Sequence, residues 1–147
     1  CEKMSEQFRV KKLIDYITNI IEELNSDYLE INADWLGIEA NNYSIDKIPT
    51  DSNVESWIIP CSRKRDVYTL RSRENYSSDL INNLQNIGFF EKLEKKINSN
   101  NSKGIKPDIK GIESIECLTA GAFNSADPSG KTAEFSIQIQ IIYIEEA

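Results

Sequence analysis

The chain has 147 residues, a formal net charge of −7 and no histidine. A domain of that length buries roughly 70% of the surface that its unfolded chain exposes, so we expect one domain over residues 1–147. No apolar run approaches the roughly 20 residues that span a bilayer, and the N-terminal residues lack the apolar core of a secretory signal. Because the acidic balance also disfavours a phosphate-binding surface, we expect an intracellular protein without membrane association or specific nucleic-acid binding.

The first predicted element is an amphipathic helix from Ser5 to Asn25, with Ser5 as its N-terminal cap. The pieces "YLEI" and "WLGI" that follow indicate short strands joined by a loop. The apolar residues of the helix recur at spacings of three and four and so form one buried stripe: Phe8, Val10, Leu13, Ile14, Ile17, Ile20, Ile21 and Leu24.

Two strands are predicted in the segment "NVESWIIPCSRKRDVYTLRSR". The first begins at Val54 and ends before Pro60, which cannot donate a hydrogen bond to a sheet. The second covers Asp66 to Arg71 and alternates, so that Tyr68 and Leu70 point toward the core.

A second amphipathic helix is predicted from about Ser78 to Asn98, with Ser77 or Ser78 as its cap. The Asn- and Ser-rich stretch after it is typical of a connector. The residues that form its apolar stripe are Leu80, Ile81, Leu84, Ile87, Phe90, Leu93 and Ile97.

The last third of the chain predicts a long hairpin. Its first strand is "GIESIECLTAGAF", its loop is "NSADPSGK", and its second strand is the closing stretch of the chain. One face of the closing strand is apolar at Phe135, Ile137, Ile139, Ile141 and Tyr143, and we expect it to pack under the helices. The opposite face is polar at Ser136, Gln138 and Gln140 and then apolar at Ile142 and Ile144, which core packing does not explain.

The order of these elements predicts an α+β fold, in which a largely antiparallel sheet packs against two amphipathic helices. Without histidine, the chain has no Ser-His or Cys-His nucleophile pair. Its three cysteines are far apart, which disfavours zinc; Cys61 and Cys117 are predicted to be small core residues. Trp35 and Trp57 are candidates for the core first and for an interface second. We expect no catalytic, cofactor or metal site, and therefore not an enzyme.

A basic run, "SRKRDVYTLRSR", stands out from the acidic chain. Its simplest interpretation is an edge strand whose charges prevent aggregation. Contact with phosphates is a second interpretation, and ion pairs with an acidic surface on a neighbouring copy are a third. The residues of the run that are candidates for an oligomer interface are Arg63, Lys64, Arg65, Arg71 and Arg73.

The helix segment "GFFEKL" and the ending "IQIQIIYIEE", in this order of elements, resemble a family of proteins from tailed phages. These are the minor capsid or tail-terminator-like proteins of the neck region, found in phages, prophages and contractile phage-tail-like bacteriocins. The similarity covers most of the chain and is strongest from Tyr68 to Glu146.

The resemblance implies a structural protein that forms a ring, commonly of six subunits, on the last layer of the tail tube. It implies self-association and contact with the tail tube, and with sheath or head-connector proteins as further partners. The protein would act in the bacterial cytoplasm during assembly and then in the virion or particle. Ser136, Gln138 and Gln140 would face the lumen, and a neighbouring subunit would cover Ile142 and Ile144.

Two alternatives remain open from the sequence. A head-completion or connector adaptor would share the fold and the absence of catalysis, and would differ in the ring that it joins. A small-ligand-binding α+β module would need a concave pocket with converging polar groups.

Overall fold

The computed structural model describes residues 2–24, 30–34, 36, 42–50, 52–57, 60–75, 80–119, 122–126 and 132–146. It is an α+β fold, as the sequence predicts. The two helices are α1 (Glu6–Leu24) and α2 (Leu80–Ser102). The strands are β1 (Glu30–Ala33), β2 (Asn42–Ile48), β3 (Asn53–Ser56), β4 (Cys61–Asn75), β5 (Ile112–Cys117), β6 (Ala122–Ala126) and β7 (Thr132–Glu146).

Two long antiparallel strands form the centre of the sheet. β4 and β7 pair over their full 15 residues, from Cys61 opposite Glu146 to Asn75 opposite Thr132. β2 and β3 pair with successive parts of β4, whereas β5 and β6 pair with successive parts of β7. β1 adds to β2 in parallel, so the sheet is largely but not wholly antiparallel.

The two faces of the closing strand β7 differ in burial, as predicted. Its odd-numbered residues from Ala133 to Glu145 are buried, and its even-numbered residues from Glu134 to Ile144 are half-buried. The odd-numbered apolar residues share one hydrophobic core with α1 and α2. Both helices therefore pack on the same face of the sheet, and we call the opposite face the outer face.

Helix α1 begins as predicted, because the Ser5 hydroxyl accepts a hydrogen bond from the Phe8 amide at 3.4 Å. The prediction that Phe8 belongs to the buried stripe is wrong, since Phe8 is 57% exposed. Arg9 is buried instead, at the position one helical turn before Leu13. The buried stripe therefore begins with a charged residue. Phe8 comes one position before Arg9, so its side chain points away from the stripe.

Helix α2 extends four residues beyond its predicted end. Gly104 has a positive φ of 79°, the Ile105 amide bonds to the Asn100 carbonyl at 2.8 Å, and the Gly104 amide bonds to the Asn101 carbonyl at 3.2 Å. These two bonds form a Schellman cap, so the predicted connector is helical up to Ser102.

The apolar stripe of α2 is confirmed where its side chains are described, since Phe90, Leu93 and Ile97 are buried. The predicted cap at Ser77 or Ser78 lies outside the described residues. The side chains of four predicted stripe residues also lie outside them: Leu80, Ile81, Leu84 and Ile87.

The strands differ from their predicted bounds in several places. β3 covers Asn53–Ser56 rather than Val54 to Ile59, and β4 ends at Asn75 rather than at Arg71. β4 begins at Cys61 rather than Asp66, because β7 offers it a partner along its whole length. The segment predicted as one strand before the final loop is two strands, β5 and β6, whose pairings with β7 both contain a register shift. "YLEI" contributes to β1, whereas most of "WLGI", including Trp35, lies outside the described residues.

The cysteines and Trp57 only partly follow their predicted role as core residues. Cys61 is buried, as predicted, and it is also disulfide-bonded, which was not predicted. Cys117 is a free, half-buried thiol that packs against the core. Trp57 is half-buried and lies outside the hydrophobic core.

Candidate functional site

The predicted interface residues divide between the two faces of the sheet. Residues paired in register point to the same side, so the pairing of Arg63 with Ile144 and of Arg65 with Ile142 places all four on the outer face. Arg71 and Arg73 follow at even spacing, opposite Ser136 and Glu134. Lys64 follows Arg63 directly, and the pleat therefore directs it to the helix-covered face. The predicted lumen residues Ser136, Gln138 and Gln140 all lie on the outer face.

Arg63 is held by two carboxylates at one end of the outer face. Its Nε and Nη2 donate to the two oxygens of Glu113 at 2.7 and 3.1 Å, and its Nη1 donates to Glu55 at 2.5 Å. Its guanidinium carbon lies 5.5 Å from the centroid of the Trp57 ring. The hydrogen bond to Glu113, followed by the charges of Glu113 and Glu55, raises the pKa of Arg63 despite some desolvation.

Arg71, toward the other end of the outer face, is likewise held by two carboxylates. It forms ion pairs with Asp46 of β2 and, at 3.1 Å, with Glu134 of β7. Burial alone would lower the pKa of Arg71, but the hydrogen bonds and charges of these two carboxylates outweigh it and raise the pKa. Two of the predicted interface arginines thus have acidic partners within their own chain, two carboxylates for each guanidinium.

Residues on the polar part of the outer face also form hydrogen bonds with adjacent segments of the same chain. The Gln140 amide group donates to Glu116 of β5 at 2.9 Å, and the Gln138 backbone amide donates to the Thr119 hydroxyl at 3.1 Å. Together with the Arg63 and Arg71 clusters, these contacts make a hydrogen-bonded surface in which the charges of Arg63 and Arg71 are compensated.

A buried charge network lies on the opposite, helix-covered face. Asp66 is 1% exposed and accepts from Arg9 Nε at 3.0 Å, from the Tyr68 hydroxyl at 3.1 Å and from the Tyr143 hydroxyl at 3.1 Å. Arg9 Nη1 donates to the Met4 carbonyl at 2.6 Å. The network therefore ties the start of α1 and the N-terminal segment to β4 and β7.

The three groups that donate to Asp66 are all held in their protonated forms. Desolvation, followed by the charge of Asp66, raises the pKa of both Tyr68 and Tyr143, so both phenols stay protonated and donate. Burial opposes the charge on Arg9, yet the charge of Asp66 and the neighbouring groups outweigh it and raise the pKa of Arg9. Because the network joins α1 to β4 and β7 through one buried carboxylate, it acts as a structural clamp.

Sequence reasoning missed this clamp, although two signals pointed to it. Asp66 and Tyr68 are two residues apart in one strand, which places both on the core face. Arg9 precedes Leu13 by one helical turn, which places it on the buried stripe. We assigned Asp66 to the basic run and treated the stripe as wholly apolar.

A second buried carboxylate lies near the other end of β4. Glu74 is 7% exposed, and its Oε1 has no hydrogen-bond partner among the described residues. Burial raises the pKa of Glu74 to about 7, although a hydrogen bond from Tyr43 opposes the shift. Glu74 therefore titrates near neutral pH in the folded protein.

We expect Glu74 to make stability depend on pH. Because its pKa is higher in the folded state than its ordinary value of 4.5, stability falls as the pH rises from about 4.5 through 7, by at most about 3 kcal/mol. Glu74→Gln should therefore stabilise the protein at pH 8 and change little at pH 5. Chemical denaturation at both pH values measures this, with exposed Glu91→Gln as the control. An equal effect of Glu74→Gln at both values would contradict the prediction.

The described residues hold no group of three or more His, Cys, Asp or Glu side chains arranged to bind a metal ion. Neither helix, over its described residues, is long and apolar enough to cross a membrane. A cleft between the helices, lined by Tyr16, Ile20 and Ile105 among others, encloses about 170 Å³. This is less than the roughly 300–1,000 Å³ of typical ligand pockets.

Comparison with known proteins does not add an assignment: no protein-family model matches the chain, and no curated protein is significantly similar to it.

Proposed function

We propose that this protein is a structural component of a phage tail or phage-tail-like particle, which forms a ring that ends the tail tube. The observation that carries the proposal is the two-sided sheet. One side is filled by both helices, and the other side is a broad surface built on two 15-residue strands. A ring subunit needs such a division, with a stable core on one side and a surface for neighbours and the channel on the other.

The compensated charges of the outer face support its interpretation as a surface along which DNA could pass without binding tightly. Arg63 and Arg71, two of the four arginines that β4 places on this face, are each compensated by two carboxylates. Ser136, Gln138 and Gln140 between them are uncharged. We therefore propose that this polar part of the outer face borders the lumen of the ring.

The half-buried Ile142 and Ile144 provide a second argument for the proposed ring. They lie on the outer face, away from the core that the helices complete. A closed ring of heterologous contacts covers the same patch on every subunit. We propose that a neighbouring copy covers these two isoleucines once the ring has formed.

Deletion of the gene from the phage, prophage or bacteriocin cluster that encodes it tests the proposal. Electron microscopy should show overlong or ragged tails, and a plasmid copy should restore the normal length. Tails of normal length and with normal ends in the deletion strain would rule out the terminator role.

The same micrographs distinguish the second candidate, a head-completion or connector adaptor. Loss of an adaptor would leave tails of normal length next to heads that they fail to join. For the small-ligand module, the described residues line one cleft of about 170 Å³ between the helices and one of about 290 Å³ next to Met4 and Phe8, both below the roughly 300–1,000 Å³ of typical ligand pockets. A candidate ligand that raises the melting temperature in thermal unfolding would support the small-ligand-binding interpretation.

A further inference from the structure

The core next to the end of β4 contains a carboxylate that has no cation beside it. Glu74 is 7% exposed, and its Oε1 has no hydrogen-bond partner among the described residues. None of the ion pairs that the described residues form includes Glu74. Burial of an unpaired charge is costly, so this position favours the neutral acid.

The side chains around Glu74 compensate its charge only weakly. Burial raises the pKa of Glu74, and the Tyr43 and Ser72 hydroxyls oppose the shift without cancelling it. Ser72 is itself fully buried, and its Oγ makes no hydrogen bond of good geometry. Arg73 and Glu134, the charged neighbours of Glu74 along the two strands, belong to the outer face. No charged side chain on the described parts of β2, β7, α1 or α2 contributes to the shift in its pKa.

The strand end that carries Glu74 is held on one side only. Among the described residues, β2 begins at Asn42 opposite Arg73, so β4 pairs beyond that point with β7 alone. Only two register pairs of β4 and β7 remain there. β7 is supported on its other side by β6, which pairs with it as far as Ala133. Opening the end of β4 therefore breaks few contacts, as in the local openings that precede global unfolding.

The helix above this end of the core is held more firmly. The ring of Tyr43 lies 6.1 Å from that of Phe89, which meets Phe90 edge-on at 5.4 Å. Phe90 in turn lies 5.7 Å from Phe135 of β7. Aromatic pairs of this kind stabilise packing beyond the area that they bury. Separation of α2 from the sheet would break these contacts, whereas separation of the end of β4 breaks none of them. Water therefore reaches Glu74 most easily past the end of β4.

We infer that loss of the Glu74 proton opens this end of the sheet: the residues of β4 beyond Arg73 separate from β7, and the carboxylate turns to water while both helices stay docked. The end of β4 is thus a two-state element, and the proton is the ligand that selects its closed form. The closed form dominates in acid, and the open form gains population as the pH rises.

The size of the effect follows from the pKa of Glu74 in the two forms. It is about 7 when the end is closed, against the ordinary value of 4.5 that applies once water surrounds the carboxylate. Between these two values each pH unit favours the open form about tenfold, and above the higher value the dependence ends. From pH 6 to pH 8, the ratio of open to closed molecules should therefore rise roughly tenfold.

Amide hydrogen exchange, measured by NMR on the purified protein, tests the inference. After correction for the intrinsic exchange rates, amides at the end of β4 and at the start of β7 should lose roughly tenfold in protection between pH 6 and pH 8. In Glu74→Gln they should keep the same protection at both pH values. Glu91→Gln, which alters an exposed carboxylate, should retain the loss. Protection that does not change with pH in the unaltered protein, or an equal loss in Glu74→Gln, would overturn the inference.

The place of the opening is a second readout from the same spectra. Amides in the middle of β4, from Val67 to Leu70, and in α2, from Phe90 to Ile97, should stay far better protected than those at the end of β4 at both pH values, because they exchange only when larger parts unfold. Equal protection in the middle and at the end of β4 would mean that only global unfolding exposes Glu74. Equal protection in α2 and at the end of β4 would place the opening at the helix. Either result would overturn the inference.

Discussion

Asp66→Asn is expected to lower the free energy of unfolding by up to about 3–5 kcal/mol, because it leaves the buried Arg9 guanidinium with only its longer ion pair, 3.6 Å to Glu145. Asp66 is 1% exposed and receives hydrogen bonds from Arg9, Tyr68 and Tyr143. Asparagine has nearly the same shape, so the loss measures charge and hydrogen bonding rather than a cavity. Urea denaturation at pH 7 provides the measurement.

A double-mutant cycle separates the ion pair from its surroundings. Arg9→Met combined with Asp66→Asn should cost clearly less than the sum of the two single changes, since Arg9 and Asp66 are then removed together, while Glu145 loses its 3.6 Å partner equally in both variants that lack Arg9. Tyr143→Phe, which removes one hydrogen bond to Asp66, should cost only about 1 kcal/mol. Additive effects of the two charge substitutions, or a loss below about 1 kcal/mol for Asp66→Asn, would show that the clamp contributes little to stability.

Gly111→Ala is the second change for which we expect a large loss of stability. Gly111 has a positive φ of 74°, and a Cβ atom added to it would lie 2.1 Å from the Ile144 carbonyl oxygen. That contact is with backbone of the central strand β7, which cannot move without disturbing its pairing. The left-handed conformation alone costs an alanine about 1–2 kcal/mol, so the total should exceed roughly 3 kcal/mol, the remainder coming from overpacking.

Gly104 offers a matched control for this experiment. It has a similar φ of 79°, but an added Cβ would have no neighbour within 4 Å. Gly104→Ala should therefore cost only the conformational part, about 1–2 kcal/mol. The difference between the two variants in chemical denaturation isolates the close approach to Ile144. Equal losses would mean that β7 accommodates the methyl group by a small shift.

The sequence was sufficient to predict the features that depend on local periodicity. The stripe of α1 from Leu13 onward, the alternation of β7 and the capping by Ser5 follow from spacing and side-chain chemistry alone. The full length of β4 was not predictable in this way, because residues before Asp66 join the strand only through pairing with β7. The same holds for the end of α2, where the Schellman cap at Gly104 overrides the low helix propensity of asparagine.

The candidate site was predictable in position but not in its interactions. Alternation correctly places Ser136, Gln138 and Gln140 on one face and predicts that Ile142 and Ile144 share it. The ion pairs of Arg63 join three strands that are distant in sequence, so no local pattern reveals that Glu55 and Glu113 are its partners. The buried clamp was missed for the same reason, since Arg9 and Asp66 are 57 residues apart.

The edge strands of the sheet affect how two copies of this chain could associate. The Asn101 side chain of α2 accepts the hydrogen bond of the Ile115 amide in β5 at 3.2 Å, and the marginal strands β1 and β3 have only four residues each. Strand-to-strand fusion of two copies is thereby discouraged along these margins. If the proposed ring forms, subunits that meet through side chains alone can dock, dissociate and dock again without breaking a ladder of main-chain bonds, so an incorrectly placed copy can leave before the ring closes.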